Sequence, residues 1–179
     1  MYKQIFYDLE TTGLDTDTDI PLQIAAVDNL GNTFERKIVV PFEIPKEITD
    51  INGISNKDLI GATKLDDAIS DFIGFVFKKP EGTKSFKGYQ LWAHNGNKFD
   101  HLILHRLIKL INPDAINKYW WCVNYYDTFL LAREKLPHLA KYNLKALCDH
   151  FQIPTLGHHN AIYDCQMLKQ LHSKLISIA

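Results

Sequence analysis

Three runs rich in aromatic, aliphatic and β-branched residues follow one another at the start of the chain with no helical pattern between them: Gln4 to Leu9, Pro21 to Asn29 and Thr33 to Val40. Asn29-Leu30-Gly31-Asn32 supplies turn chemistry between the last two, so the three read as strands of a meander. Beyond the breaker stretch Pro41 to Pro45 and a short helical turn at Ser55 to Leu59, the character changes. Leu65, Ala68, Ile69, Phe72, Ile73, Val76 and Phe77 recur at intervals of three and four, which predicts a helix over 65–77. A Lys-, Gly- and Pro-rich loop leads to a fourth strand at 89–93. A helix over 98–111 follows, stopped by Asn112-Pro113, then a fifth strand over the aromatic stretch 119–126. Helices are expected at 128–135, 144–151 and 160–176. Three leading strands and then strand-helix alternation confine the chain to an α/β architecture, a mixed sheet flanked by helices.

Its 179 residues suit one domain, expected to span 1–179, and 46% hydrophobic content supplies a core. No apolar run approaches the roughly 20 residues of a membrane span, and the start has no secretory leader, so no membrane association is expected. Cys122, Cys148 and Cys165 are odd in number and widely spaced. That pattern predicts a reducing compartment and an intracellular protein, cytoplasmic or, in a eukaryote, nuclear. Cys148 and Cys165 fall in apolar helical patterns and read as core residues. With a net charge of -1 and only Arg36, Arg106 and Arg133 as arginines, sequence-specific readout of base edges is not expected. Lys98, Arg106, Lys109, Lys141 and Lys145 offer local positive charge.

The chemistry lies in the acidic residues. In a strand, residues two apart share a face, so Asp8 and Glu10 project together from an apolar strand end. Their mutual repulsion is relieved by a hard divalent cation, which prefers carboxylate oxygen. Asp100 sits at a strand-to-helix junction, where the helix dipole alone favours a carboxylate. His159 precedes Asp164 by five positions just ahead of the last helix. Taken singly, each has a bland reading as a solvated strand end, a helix-start carboxylate or a capping histidine. Together, Asp8, Glu10, Asp100 and Asp164 come from the ends of separate elements that such a sheet can bring together, making a site for two divalent ions of the kind that serves in-line attack at phosphorus. His101 and His105 are spaced i, i+4, but with no acidic base between them they read as a helix surface rather than a zinc site.

Asp8-Leu9-Glu10-Thr11-Thr12-Gly13-Leu14, His94-Asn95-Gly96-Asn97-Lys98-Phe99-Asp100 and His159 through Asp164 closely resemble the three motifs of the DEDDh 3′-5′ exonuclease superfamily. Tyr126-Asp127-Thr128, Leu131-Ala132-Arg133 and 142–148 are similar to its core segments, so the resemblance covers nearly the whole chain. Asn160 stands where the tyrosine-using branch would carry Tyr, whereas His159 fits the histidine branch. The spacing of the second motif is similar to that of three-prime repair exonucleases.

The resemblance implies a ribonuclease H-like fold and two bound ions, Mg2+ or Mn2+, on Asp8, Glu10, Asp100 and Asp164. Asp8 would bridge the ions, Glu10 and Asp164 would complete the nucleophile side, Asp100 would serve the leaving-group side and His159 would act as general base. Thr11, Thr12, Leu14, Ile54, Asn95 and Phe99 are the implied substrate contacts, with Phe99 equally a core residue. Ile51-Asn52-Gly53-Ile54-Ser55 is similar to the loop that contacts the terminal nucleotide. The implied reaction removes nucleoside 5′-monophosphates from a free 3′ end, single-stranded DNA ahead of RNA, alone, as a homodimer or with a polymerase or repair partner. The alternatives are an RNA-trimming exonuclease, a related endonuclease and a catalytically silent nucleic-acid-binding module of the same fold.

Overall fold

The computed structural model describes residues 1–82, 85–155 and 161–178. Strands β1 (Lys3–Thr11), β2 (Pro21–Asp28) and β3 (Thr33–Lys37) form the expected antiparallel meander. After helices α1 (Lys46–Asn52) and α2 (Leu65–Phe77), strand β4 (Tyr89–Ala93) joins β1 in parallel. Helices α3 (Asp100–Ile111) and α4 (Pro113–Lys118) then lead to β5 (Val123–Asp127), parallel to β4. Helices α5 (Thr128–Lys135), α6 (Leu144–His150) and α7 (Ala161–Ile176) complete the order. The sheet reads β3-β2-β1-β4-β5, so the C-terminal ends of β1, β4 and β5 lie along one rim.

Strand β1 is central and buried on both faces. Its odd-numbered residues Ile5, Tyr7 and Leu9 pack with Ile69, Phe72 and Val76 of α2 and Ile103, Leu104 and Ile108 of α3. On the other face Phe6, with Ala25, Val27 and Trp92, meets Ala161, Cys165 and Leu168 of α7. Side chains such as Tyr7 and Phe72 are fully buried, each contributing about 1.5–3 kcal/mol of apolar burial. At the strand's other end Lys3 is buried; its Nζ lies 3.5 Å from Asp28 Oδ2 and donates to the Phe75 carbonyl at 2.6 Å.

Several expectations change. Strand β3 stops at Lys37 rather than Val40: Ile38 N–H still donates to the Leu22 carbonyl of β2, but Ile38 bridges Thr63 and Val39 N–H donates to the Thr63 carbonyl. Asn112-Pro113 ends α3 and also starts α4: the Asn112 side chain accepts from Ala115 N–H, and Pro113 occupies the first helical position, where its missing N–H costs nothing. The fifth strand therefore begins at Val123, after a 3-10 turn at Trp120–Cys122. Helix α1 was not expected; it ends at Gly53, whose φ of 73° is one that glycine adopts without strain. His101 is buried, not on the helix surface: it lies on the core stripe of α3, with Tyr7 Oη 2.6 Å from Nδ1 and the Tyr126 carbonyl 3.0 Å from Nε2. His105 alone is exposed. Cys148 and Cys165 are buried thiols, as expected. No helix among the described residues is long and apolar enough to cross a membrane.

His172 on α7 is buried with its ring 5.1 Å from Phe6 and 4.2 Å from Trp92. Burial pushes its pKa down to about 4. The unfolded chain therefore takes up a proton here before the folded one does, so this contribution to stability is complete above about pH 6.5 and is lost as pH falls towards about 4. In urea titrations at about pH 7 and about pH 4.5, the wild-type midpoint should fall by more than that of His172→Leu; equal falls would contradict this.

Candidate active site

Strand alternation explains the placement of the acids. Phe6, Asp8 and Glu10 share the face of β1 that meets α7, and Phe6 is its apolar anchor. Ala161, Asp164, Cys165 and Leu168 are spaced as one helical stripe, all four buried. A helix that packs Cys165 and Leu168 against β1 and β2 thereby carries Asp164 to the strand's acidic end. One carboxylate oxygen from each of Asp8, Glu10 and Asp164 lies within 4.8 Å of the others.

Asp100 arrives from the other side of the sheet and stands outside that trio. The β1–β4 ladder extends no further than the pair Phe6–Trp92. Beyond it, Leu9 N–H donates to Asp100 Oδ1 at 3.2 Å, which fixes the carboxylate beside the backbone between Asp8 and Glu10.

These groups perturb one another strongly. Burial, then the charges of Asp100, Glu10 and Asp164, holds the Asp8 carboxyl well above its ordinary range. Burial, then Asp164 and Asp100, raises Glu10 to about 7. Asp100 is also raised to about 7 by burial, against the lowering effect of the backbone N–H groups it accepts from. A set of carboxylate oxygens that resist ionising beside one another fits a hard divalent cation, whose charge removes the penalty.

The other sequence candidates surround this rim. Thr11 Oγ donates to the Gly13 carbonyl at 2.7 Å and Thr12 Oγ to Asp19 Oδ1 at 2.6 Å, so both hydroxyls fold the turn after β1. Leu14, 86% exposed, is displayed by that turn, whereas Ile54 is 4% exposed and packs with Leu22, Ile44 and Leu59. The Ile54 loop is tied to the site by Asn52, whose Oδ1 accepts from Ile54 N–H at 2.9 Å and whose Nδ2 lies 3.5 Å from the Thr11 carbonyl. Asn95 is exposed with φ 61°, and Phe99 is half-buried against the main core. Of the basic residues, Arg106 donates to the Asp19 carbonyl and Lys145 pairs with Asp149. His159 and its neighbour His158 lie outside the described residues.

Asp127 belongs to the core segment Tyr126-Asp127-Thr128, and its sequence context carries no sign of a role at the site. Asp127 is buried at the end of β5, and its carboxylate accepts from the backbone of Asn95 and Asn97. Its position just before a helix reads as an ordinary cap, which is why its second set of bonds leaves no signal in the sequence.

The exonuclease family model RNase_T matches residues 5–172. Over 178 residues the chain is 28% identical to DNA polymerase III subunit epsilon of Aquifex aeolicus, covering 96% of this chain and 79% of that protein. It is 27% identical over 176 residues to the PolC-type DNA polymerase III of Caldanaerobacter subterraneus, covering 96% of this chain but spanning only 11% of that much longer relative. Escherichia coli exonuclease I in complex with a dT13 oligonucleotide shares the fold, with a TM-score of 0.81 at 16% identity over 99% of this chain and 42% of that one.

Carboxyls raised in the folded state contribute stability that is complete below their ordinary pKa of about 4 and is lost as pH rises through about 7. Between those limits the metal-free wild type should lose more thermal stability than Asp8→Asn. Mg2+ or Mn2+ should restore the wild type and leave the variant nearly unmoved. A variant that responds to metal as the wild type does would contradict the shared-cation account of the cluster.

Proposed function

The chain belongs to the exonuclease family, and from that premise we propose that it is a metal-dependent 3′-5′ exonuclease, one domain over 1–179, that releases nucleoside 5′-monophosphates from single-stranded DNA ahead of RNA. The observation that carries this reading is the Asp8, Glu10 and Asp164 cluster on the rim of the sheet, with Asp100 beside it. Single-stranded DNA is favoured because relatives are named as DNA polymerase III subunits and a fold neighbour holds dT13. A polymerase partner follows from the same names. A homodimer is the other assembly expected, and sedimentation of the isolated chain tests it.

Asp8, Glu10 and Asp164 would hold the divalent ions, Mg2+ or Mn2+ by the all-carboxylate donor set, and two of them by the family resemblance. Bound ions supply Lewis acidity to phosphate oxygens and increase the acidity of water. Asp100, fixed by Leu9 N–H, keeps a fourth carboxylate at the edge of the same site. His159 accepts the proton of the attacking water, since an imidazole titrates near neutral pH. The water oxygen bonds to phosphorus, the bond to the 3′ oxygen of the preceding nucleotide breaks, and that oxygen takes up a proton. Leu14 and Asn95, both exposed, are the side chains assigned to the terminal nucleotide in this reading.

Digestion of 3′-labelled and 5′-labelled DNA and RNA decides the matter. With Mg2+ or Mn2+ the label should leave the 3′ end first as mononucleotide, and EDTA should abolish the activity. Undiminished hydrolysis in EDTA, or rapid cutting of circular single strands, would overturn the reading. Asp8→Ala should reduce turnover severely. In single-turnover assays His159→Ala should lower the chemical rate by about 10²- to 10⁴-fold while retaining metal binding, and His158→Ala should matter much less. Equal losses at the two histidines would remove His159 from its role.

A further inference from the structure

The residues that join β4 to α3 form a loop built around an unusual backbone. Asn95 sits at φ 61° and ψ 22°, a left-handed conformation that asparagine tolerates better than most residues with a side chain. Below the loop the packing is too close for any side chain at the next position: a Cβ on Gly96 would lie 2.6 Å from Ala93 Cβ and 2.7 Å from His101 Nε2. On its other side, the buried carboxylate of Asp127 accepts from Asn95 N–H at 2.9 Å through Oδ1 and from Asn97 N–H at 3.1 Å through Oδ2. The same Oδ1 accepts from Phe129 N–H at 2.8 Å at the start of α5.

A helix cap needs only one of these bonds. Asn112 and Asn143 cap α4 and α6 by accepting one N–H each. The two further bonds of Asp127 reach across to a different element. They clamp the segment that displays the exposed Asn95 side chain and runs, three residues after Asn97, into Asp100. Burial of the Asp127 side chain limits the access of water that would otherwise replace these bonds.

We propose that Asp127 is a positioning residue of the exonuclease site: by holding the Asn95 and Asn97 amides it sets the left-handed turn that presents Asn95 to the terminal nucleotide. The proposal rests on the exonuclease reading for its substrate. Asp127 touches no substrate itself; it acts through Asn95. Asp127→Asn puts an amide NH2 where one carboxylate oxygen now accepts, so at least one of the two clamping bonds is lost and the turn relaxes. Asp127→Glu keeps the charge but displaces it by one methylene, and its effect should have the same sign.

The test is a double-mutant cycle on a single-stranded DNA substrate with Mg2+. Asp127→Asn and Asn95→Ala should each raise KM, by roughly tenfold for loss of a bond of this kind. The double variant should be little worse than either single one, because both remove the same contact. Asn112→Ala, which removes only a cap, should lower Tm and leave KM unchanged. Amide hydrogen exchange in the full chain without substrate should show Asn95 and Asn97 both protected in the wild type and at least one of them exposed in Asp127→Asn. A wild-type KM in both Asp127 variants, or effects at 95 and 127 that multiply in full, would overturn the proposal. Should the wild type hydrolyse nothing, the exonuclease reading fails by itself. The exchange of Asn95 and Asn97 then still decides the clamp, and unchanged protection in the Asp127 variants would refute it.

Discussion

Carboxylates that repel one another are gathered at one end of the central strand of the sheet. Everything around them either forces that gathering or makes it tolerable. The apolar residues of β1 secure the strand between two layers of helices, and the same alternation that buries Phe6 directs Asp8 and Glu10 towards α7. Packing of Cys165 and Leu168 then drives Asp164 into a place that electrostatics alone would disfavour. Core burial thus stabilises an arrangement whose mutual repulsion a proton or a divalent cation relieves, a local conflict of the sort that folded chains accept at sites of chemistry.

The opposite end of β1 resolves its buried charge without any ligand. Lys3 and Asp28 face each other there, and Asp28 also accepts from the backbone of Leu30 and Asn32 in the β2–β3 turn. A paired cation and anion with their remaining valences satisfied are structural. The four acids at the other end instead raise one another's pKa. The contrast along one strand of nine residues separates the part of the chain that serves stability from the part that serves chemistry.

The meander, the helix over 65–77 and the strand at 89–93 are legible in the sequence because hydrophobic period and turn residues agree there. The acids at 8, 10 and 164 are legible because strand and helix spacing both place them at element ends. What escapes a linear reading is tertiary. Pro113 carries the same breaker signal whether the chain turns away or starts a new helix. His101 has the composition of a surface histidine and becomes a core residue because Tyr7 and the Tyr126 carbonyl stand ready to bond both ring nitrogens. Asp127 looks like a cap, since nothing near it in sequence announces the loop some thirty positions upstream that its carboxylate also holds.

The two-faced burial of β1 also governs which changes in length the chain can survive. Deleting or inserting one residue between Phe6 and Glu10 would turn the acids towards Phe72 and Ile103 and swing an aliphatic side chain onto the rim, exchanging core for active site in one step. A two-residue change would preserve the faces but move the acids along the strand, past the reach of Asp164 and of the Leu9 amide. The turn from Gly13 to Asp19, by contrast, lies at the surface and closes on itself through Asp15 and Asp19. Length variation among homologous chains should therefore collect between Asp15 and Asp19 and stop short of Leu14, so that the boundary between variable and fixed length marks the site as clearly as the identity of its residues.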